Sequence, residues 1–206
     1  MSDRALAVGV VLFPGFELLD VYGPLEVLGR FPEHFRLLVI GPDGGPVASI
    51  QGPRTVADHG RRDAPRLDAL LVPGGLGTRR EVDDEAFLDW LRHRAAGAEL
   101  VMSVCTGAAL LARAGILDGR RATSNKRAWD WVTAQGPNVR WVRRARWVED
   151  GVFWTSSGVS AGIDMTLAIV ARRLGEDAAE EEAWRIEHAW RRDPSDDPFV
   201  EPRPKR

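Results

Sequence analysis

The run Ala5-Leu6-Ala7-Val8-Gly9-Val10-Val11-Leu12-Phe13 carries no polar side chain. A strand with one wet face alternates apolar and polar residues, so this run predicts a strand covered on both faces. Such strands belong to parallel sheets packed between helices. Phe35–Ile40, Leu67–Val72 and Leu100–Val104 are further β-prone runs. Between them, apolar spacing predicts helices over 17–28 and 84–96. Gly23-Pro24 interrupts the first, so the helix proper is expected to start at Pro24. The stretch from Gly41 to Gly60 mixes Pro, Gly and short β-prone pieces, which predicts a small β-hairpin excursion. Strands alternating with helices predict an α/β domain of three layers around a mostly parallel sheet.

The second half is less regular. Thr106–Ala114 and Lys126–Ala134 read as helices, and Val139–Val148 as a strand. In that strand Arg140 to Arg146 alternate with tryptophan, the pattern of a half-exposed strand. Glu149-Asp150-Gly151 turns the chain into Val152-Phe153-Trp154, a hairpin signal. Ser160–Leu174 and Ala178–Trp190 close the fold as helices. Residues 191–206, rich in Pro and charge, are expected to pack loosely. Without repeats or a linker, 1–206 reads as a single domain with its core at about 5–190.

A chain of 206 residues can bury a full core without staples. Its single cysteine forbids an internal disulfide and any multi-cysteine metal site, and fits a reducing cytosol. No histidine pair has metal-binding spacing, so no metal is expected. A net charge of -2 gives no pull toward nucleic acid or an anionic membrane. The apolar N-terminal run is too short to span a bilayer. These features predict a cytoplasmic protein with neither nucleic acid nor membrane as partner.

That single cysteine, Cys105, follows the β-prone Leu100–Val104 at once and precedes a helix. A reactive residue at a strand-to-helix corner has the geometry of a nucleophile elbow. The elbow and the helix dipole both favour a thiolate. In parallel sheets, sites form beyond the C-terminal strand ends, so three loops can converge there. They carry Asp20, Pro73-Gly74-Gly75 and Cys105-Thr106. The backbone N–H groups of Gly75 and Thr106 are candidate donors to a developing negative charge, with Gly74 beside them. Asp20 is the candidate proton carrier. An ionised Asp20 raises the thiol pKa and a protonated one donates to the thiolate, so the two should titrate as a coupled pair. Of the four histidines none is well placed as a base, and His188, beside Trp184 and Trp190, is read as structural. Trp129 and Trp154 are candidate pocket walls.

Phe13-Pro14-Gly15, Asp20-Val21-Tyr22-Gly23-Pro24, Pro73-Gly74-Gly75, Ser103-Val104-Cys105-Thr106-Gly107 and Ser160-Ala161-Gly162-Ile163-Asp164 occur here in the order of the ThiJ/PfpI superfamily, which the chain resembles over about residues 5 to 190. The resemblance implies a flavodoxin-like core related to class I glutamine amidotransferases. The elbow together with Asp20 looks most like the isocyanide hydratase branch. It implies Cys105 as nucleophile, Asp20 as its acidic partner, Gly75 and Thr106 as ligand-binding positions, no cofactor, a small-molecule substrate and a homodimer. The alternatives are a glyoxalase or deglycase of the same superfamily and a non-enzymatic redox sensor. Thr106 stands where protease-like members have His, which argues against a peptidase. Thr123-Ser124-Asn125-Lys126 lacks a Thr-His pair of many relatives, which counts against mechanisms needing that His, the glyoxalase type included.

Overall fold

The computed structural model describes residues 4–201. Its elements run β1 (Leu6–Val11), α1 (Leu18–Gly29), β2 (Phe35–Gly41), β3 (Asp43–Ala48), β4 (Arg54–Gly60), β5 (Ala69–Val72), α2 (Thr78–Glu81), α3 (Glu85–Ala95), β6 (Leu100–Ser103) and α4 (Gly107–Arg113). They continue with β7 (Arg121–Ala122), α5 (Trp129–Ala134), β8 (Arg140–Trp141), β9 (Trp147–Asp150), β10 (Phe153–Ser156), α6 (Ala161–Leu174) and α7 (Glu176–Arg185).

One sheet of order β3-β4-β2-β1-β5-β6-β10-β9 carries the fold. Every pairing from β4 to β10 is parallel, and only the edge strands β3 and β9 run antiparallel. β1, β5 and β6 are buried along their whole length, as apolar runs in the middle of a parallel sheet must be. α1, α6 and α7 pack on one another, and α4 packs on α2, α3 and α5, giving the two helical layers. This is the expected flavodoxin-like α/β architecture.

The hairpin expected after β2 is present as β3 and β4, and β4 also joins β2 in parallel and so extends the main sheet. Three expectations change. α1 begins at Leu18 rather than Pro24, and Pro24 lies inside it. Pro24 has no N–H for the carbonyl four residues back, which is that of Asp20. The strand expected over Val139–Val148 breaks into β8 and β9, because Arg146 turns inward. It is buried and bonds Asp164 at 2.6 Å. His188 meets the same carboxylate at 2.8 Å, consistent with the structural role read for it.

The third change concerns the tail. Residues 202–206 lie outside the described part, and the segment before them is mostly exposed, as expected, but anchored at one point. Asp197 is buried, 3.2 Å from Lys126 and 3.9 Å from Arg146, and the Arg146 N–H donates to the Pro194 carbonyl. Two buried cations attract a tail carboxylate that sequence composition reads as solvated. Asp197→Ala leaves Lys126 without its carboxylate partner, while Arg146 keeps Asp164, and breaking such a buried pair costs ~3 kcal/mol. A lowered urea midpoint with an unchanged slope is the expected result, while an unchanged midpoint shows that the strap carries no stability.

Candidate functional site

The site is built at the β6–α4 corner. Cys105 has φ 56°, the left-handed region, which costs an L-residue on the order of 1–2 kcal/mol. Bonds on both sides of the residue hold it there. Its N–H donates to the Ser157 carbonyl at 3.0 Å, and its own carbonyl accepts from Ser124 Oγ at 2.6 Å. The corner is also tight: a Cβ on Gly107 would lie 2.2 Å from the Val72 carbonyl oxygen. A strained, fully bonded cysteine at the head of a helix has the expected elbow geometry.

Its sulfur is 3.1 Å from Asn125 Nδ2, and the Thr106 and Val159 backbone N–H groups also donate to it. Val159, at φ 43°, is a second left-handed residue that turns its amide toward the sulfur. These donors favour the thiolate, but burial and the Asp20 carboxylate outweigh them and push the thiol up to about 12. This corrects the expectation of a resting thiolate. Cys105 is only 6% exposed, so water cannot solvate the anion.

Asp20, in the first turn of α1, is fully buried. Burial raises its carboxyl to about 7, against the stabilising bonds of the Gly74 N–H and the Cys105 side chain. Its Oδ2 accepts the Gly74 N–H at 2.8 Å, and its Oδ1 has no nitrogen or oxygen partner among the described residues. Acid and thiol therefore share protons. Both are protonated below about pH 7, and one proton remains between them from there to about 12. The thiolate is the form reached when that proton moves to Asp20.

Gly74 separates the two loops. A Cβ there would lie 2.5 Å from the Thr106 nitrogen and 2.9 Å from Asp20 Oδ2, so only glycine lets acid and elbow approach. Gly75, at φ 120°, has another role than expected. Its N–H donates to Thr106 Oγ1 at 3.0 Å rather than facing the sulfur. Thr106 Oγ1 is also bonded by Thr78 Oγ1 at 3.2 Å. The donors left for a reacting atom at sulfur are the Thr106 N–H, the Val159 N–H and Asn125.

The structure thus gathers Asp20, Gly74, Gly75, Cys105 and Thr106 at one strand edge. The sequence reading missed Ser124 and Val159, and noted Asn125 only as the place of an absent His. No histidine is among the groups acting on Cys105. Trp154 lies in the core and Trp129 packs edge-on against Trp141. Trp131, not singled out, carries Arg79 stacked on its ring at 3.9 Å. A groove of about 540 Å³ along α7, between Trp184 and Trp190, includes none of these site residues.

The DJ-1/PfpI family model matches residues 7–172. An isonitrile hydratase from Pseudomonas putida is 36% identical over 185 residues, 90% of this chain and 79% of that protein. The HTH-type transcriptional regulator CdhR from Pseudomonas aeruginosa is 33% identical over 82% of this chain, which spans only 51% of the regulator. A solved ThiJ/PfpI family protein from Pseudomonas syringae superposes with a TM-score of 0.83 at 29% identity, covering 95% of this chain and 78% of that one. Drosophila melanogaster DJ-1beta superposes at 0.77 with 25% identity, over 91% of this chain and all of that one.

Proposed function

This chain belongs to the DJ-1/PfpI family, and on that premise we propose that it is a cysteine-dependent hydratase converting a small isocyanide to an N-substituted formamide. The observation that carries the reading is the Asp20–Cys105 pair. A buried carboxyl near neutral pKa, one oxygen unpartnered, acts on an elbow sulfur. The name of the Pseudomonas putida relative supplies the substrate class.

An isocyanide ends in a carbon that accepts a nucleophile and then needs a proton. The Cys105 proton passes to Asp20, and sulfur forms a bond to the terminal carbon. Asp20 gives the proton to that carbon, leaving a thioimidate. Water then adds to the same carbon while Asp20 carries one of its protons to the nitrogen, and the C–S bond breaks as the remaining hydroxyl proton passes through Asp20 to sulfur, releasing the formamide and the thiol. The sum is isocyanide plus water. The Thr106 and Val159 N–H groups and Asn125 offset charge on sulfur as it departs. A nearly closed site around Cys105 suits a linear, sterically small reacting end.

The purified protein is expected to release a formamide from a small alkyl isocyanide and to leave methylglyoxal unchanged. Lactate from methylglyoxal without formamide overturns the reading in favour of a glyoxalase. Neither product, with Cys105 alone oxidised by dilute peroxide, overturns it in favour of a redox sensor.

A further inference from the structure

Beside the elbow stands a cation that the reaction above does not use. Arg79 lies in α2, the short helix that follows Gly74-Gly75. Its guanidinium lies 3.9 Å over the Trp131 ring and donates to Thr78 Oγ1 at 3.2 Å. Thr78 in turn bonds Thr106 Oγ1, the residue after the nucleophile. The guanidinium is therefore fixed from two sides and tied to the elbow by two successive hydrogen bonds.

Neighbouring arginines are neutralised. Arg80 pairs with Glu81, and Arg61 lies 3.4 Å from Glu81 and 3.8 Å from Asp84. Among the described residues no carboxylate pairs with Arg79. Burial works against its charge, and the Cys105 sulfur is the one group that favours it. A guanidinium has five donors, and stacking on a ring restrains its plane without using its edge. A planar, half-buried fork with free donors matches a carboxylate.

We propose that Arg79, laid on Trp131, is the anion receptor of this site and makes the enzyme prefer small electrophiles that carry a carboxylate. The proposal rests on the hydratase reading for the reacting end of the substrate only. A bound carboxylate at Arg79 places the rest of a short molecule toward Cys105 and takes the place of the missing acidic partner.

The test compares two alkylating agents that differ in charge. In each the Cys105 sulfur displaces iodide, forming a C–S bond as the C–I bond breaks. Iodoacetate brings a carboxylate and iodoacetamide does not. Their rate ratio, read by intact mass on this single-cysteine chain, is independent of the thiolate fraction. The wild-type ratio is expected to exceed that of N-acetylcysteine. Arg79→Met should lower it about tenfold, and Arg79→Lys, a point charge without the fork, should fall between. In parallel, Arg79→Met should raise the KM for isocyanoacetate about tenfold with kcat kept, and leave its ethyl ester unaffected.

A ratio unchanged in Arg79→Met, a sulfur that neither reagent reaches, or equal losses on acid and ester all overturn the receptor. The last outcome would assign Arg79 to the sulfur instead. If the ratio depends on Arg79 while neither isocyanide is hydrated, the receptor stands and the hydratase reading falls. If both isocyanides are hydrated equally and the ratio does not change, the reverse holds.

Discussion

Cys105→Ala is expected to lower kcat/KM for isocyanide hydration by about 10⁴-fold or more, because no other group can form the covalent intermediate. The fold should survive. Alanine keeps the Cβ and both backbone bonds of the corner remain, while the side-chain losses are confined to the sulfur's contacts with Asn125, Asp20 and the Thr106 and Val159 N–H groups. Cys105→Ser tests the same point differently. A hydroxyl is a far weaker acid than a thiol, so it should be nearly as inactive despite similar size. Formamide measured by mass spectrometry over a day reads both variants. Retention of more than a hundredth of the wild-type rate in Cys105→Ala would remove the sulfur from the mechanism.

Asp20→Asn is expected to cost about 10²–10⁴-fold in kcat, the range of a lost general acid–base group. The wild-type rate should rise with pH through about 7, as the pair loses its first proton and the carboxylate becomes able to accept the thiol's. The variant should lose that limb and rise only toward the alkaline range where the thiol ionises.

Stability should move the other way. Burial raises the Asp20 carboxyl from an ordinary 3.8 to about 7, so between those values the folded state holds a proton the unfolded chain has released. Asp20's own contribution to stability is then fully present below about pH 4, falls as pH rises to about 7 and stays constant beyond. At ~1.4 kcal/mol for each tenfold, the fall is worth ~4 kcal/mol. Asparagine fills the same space, and its carbonyl oxygen can still accept the Gly74 N–H. The variant should therefore be more stable than wild type at about pH 8, and its stability should lack this slope. Urea melts across pH check it, and a variant that is less stable at about pH 8 contradicts the buried, ionised acid.

Much of this was legible because it is written in local patterns. Unbroken apolar runs mark β1, β5 and β6, and a lone cysteine between strand and helix marks the elbow. What escaped reading depends on distance in space. Arg140 to Arg146 alternate like a surface strand, and nothing local says that Arg146 turns in to meet Asp164, 18 positions on. Asp197 looks like one more charge in a polar tail until Lys126 and Arg146 are seen to need it. Cys105 was placed correctly, but its charge state is set by burial, which spacing does not report. Val159 acts through its amide, and a backbone donor has no residue type by which to recognise it.

Gly74 has a consequence for how such a site can change over generations. The end that handles the reactive carbon is lined largely by main chain and closed by glycines that tolerate no added methyl. Point mutation finds few viable options there. Trp131 and Arg79 stand instead on the short helices α5 and α2, where a side chain can be exchanged while the backbone bonds of the elbow remain. Heritable variation in what this protein accepts should therefore collect at positions 79 and 131, while the chemistry stays fixed.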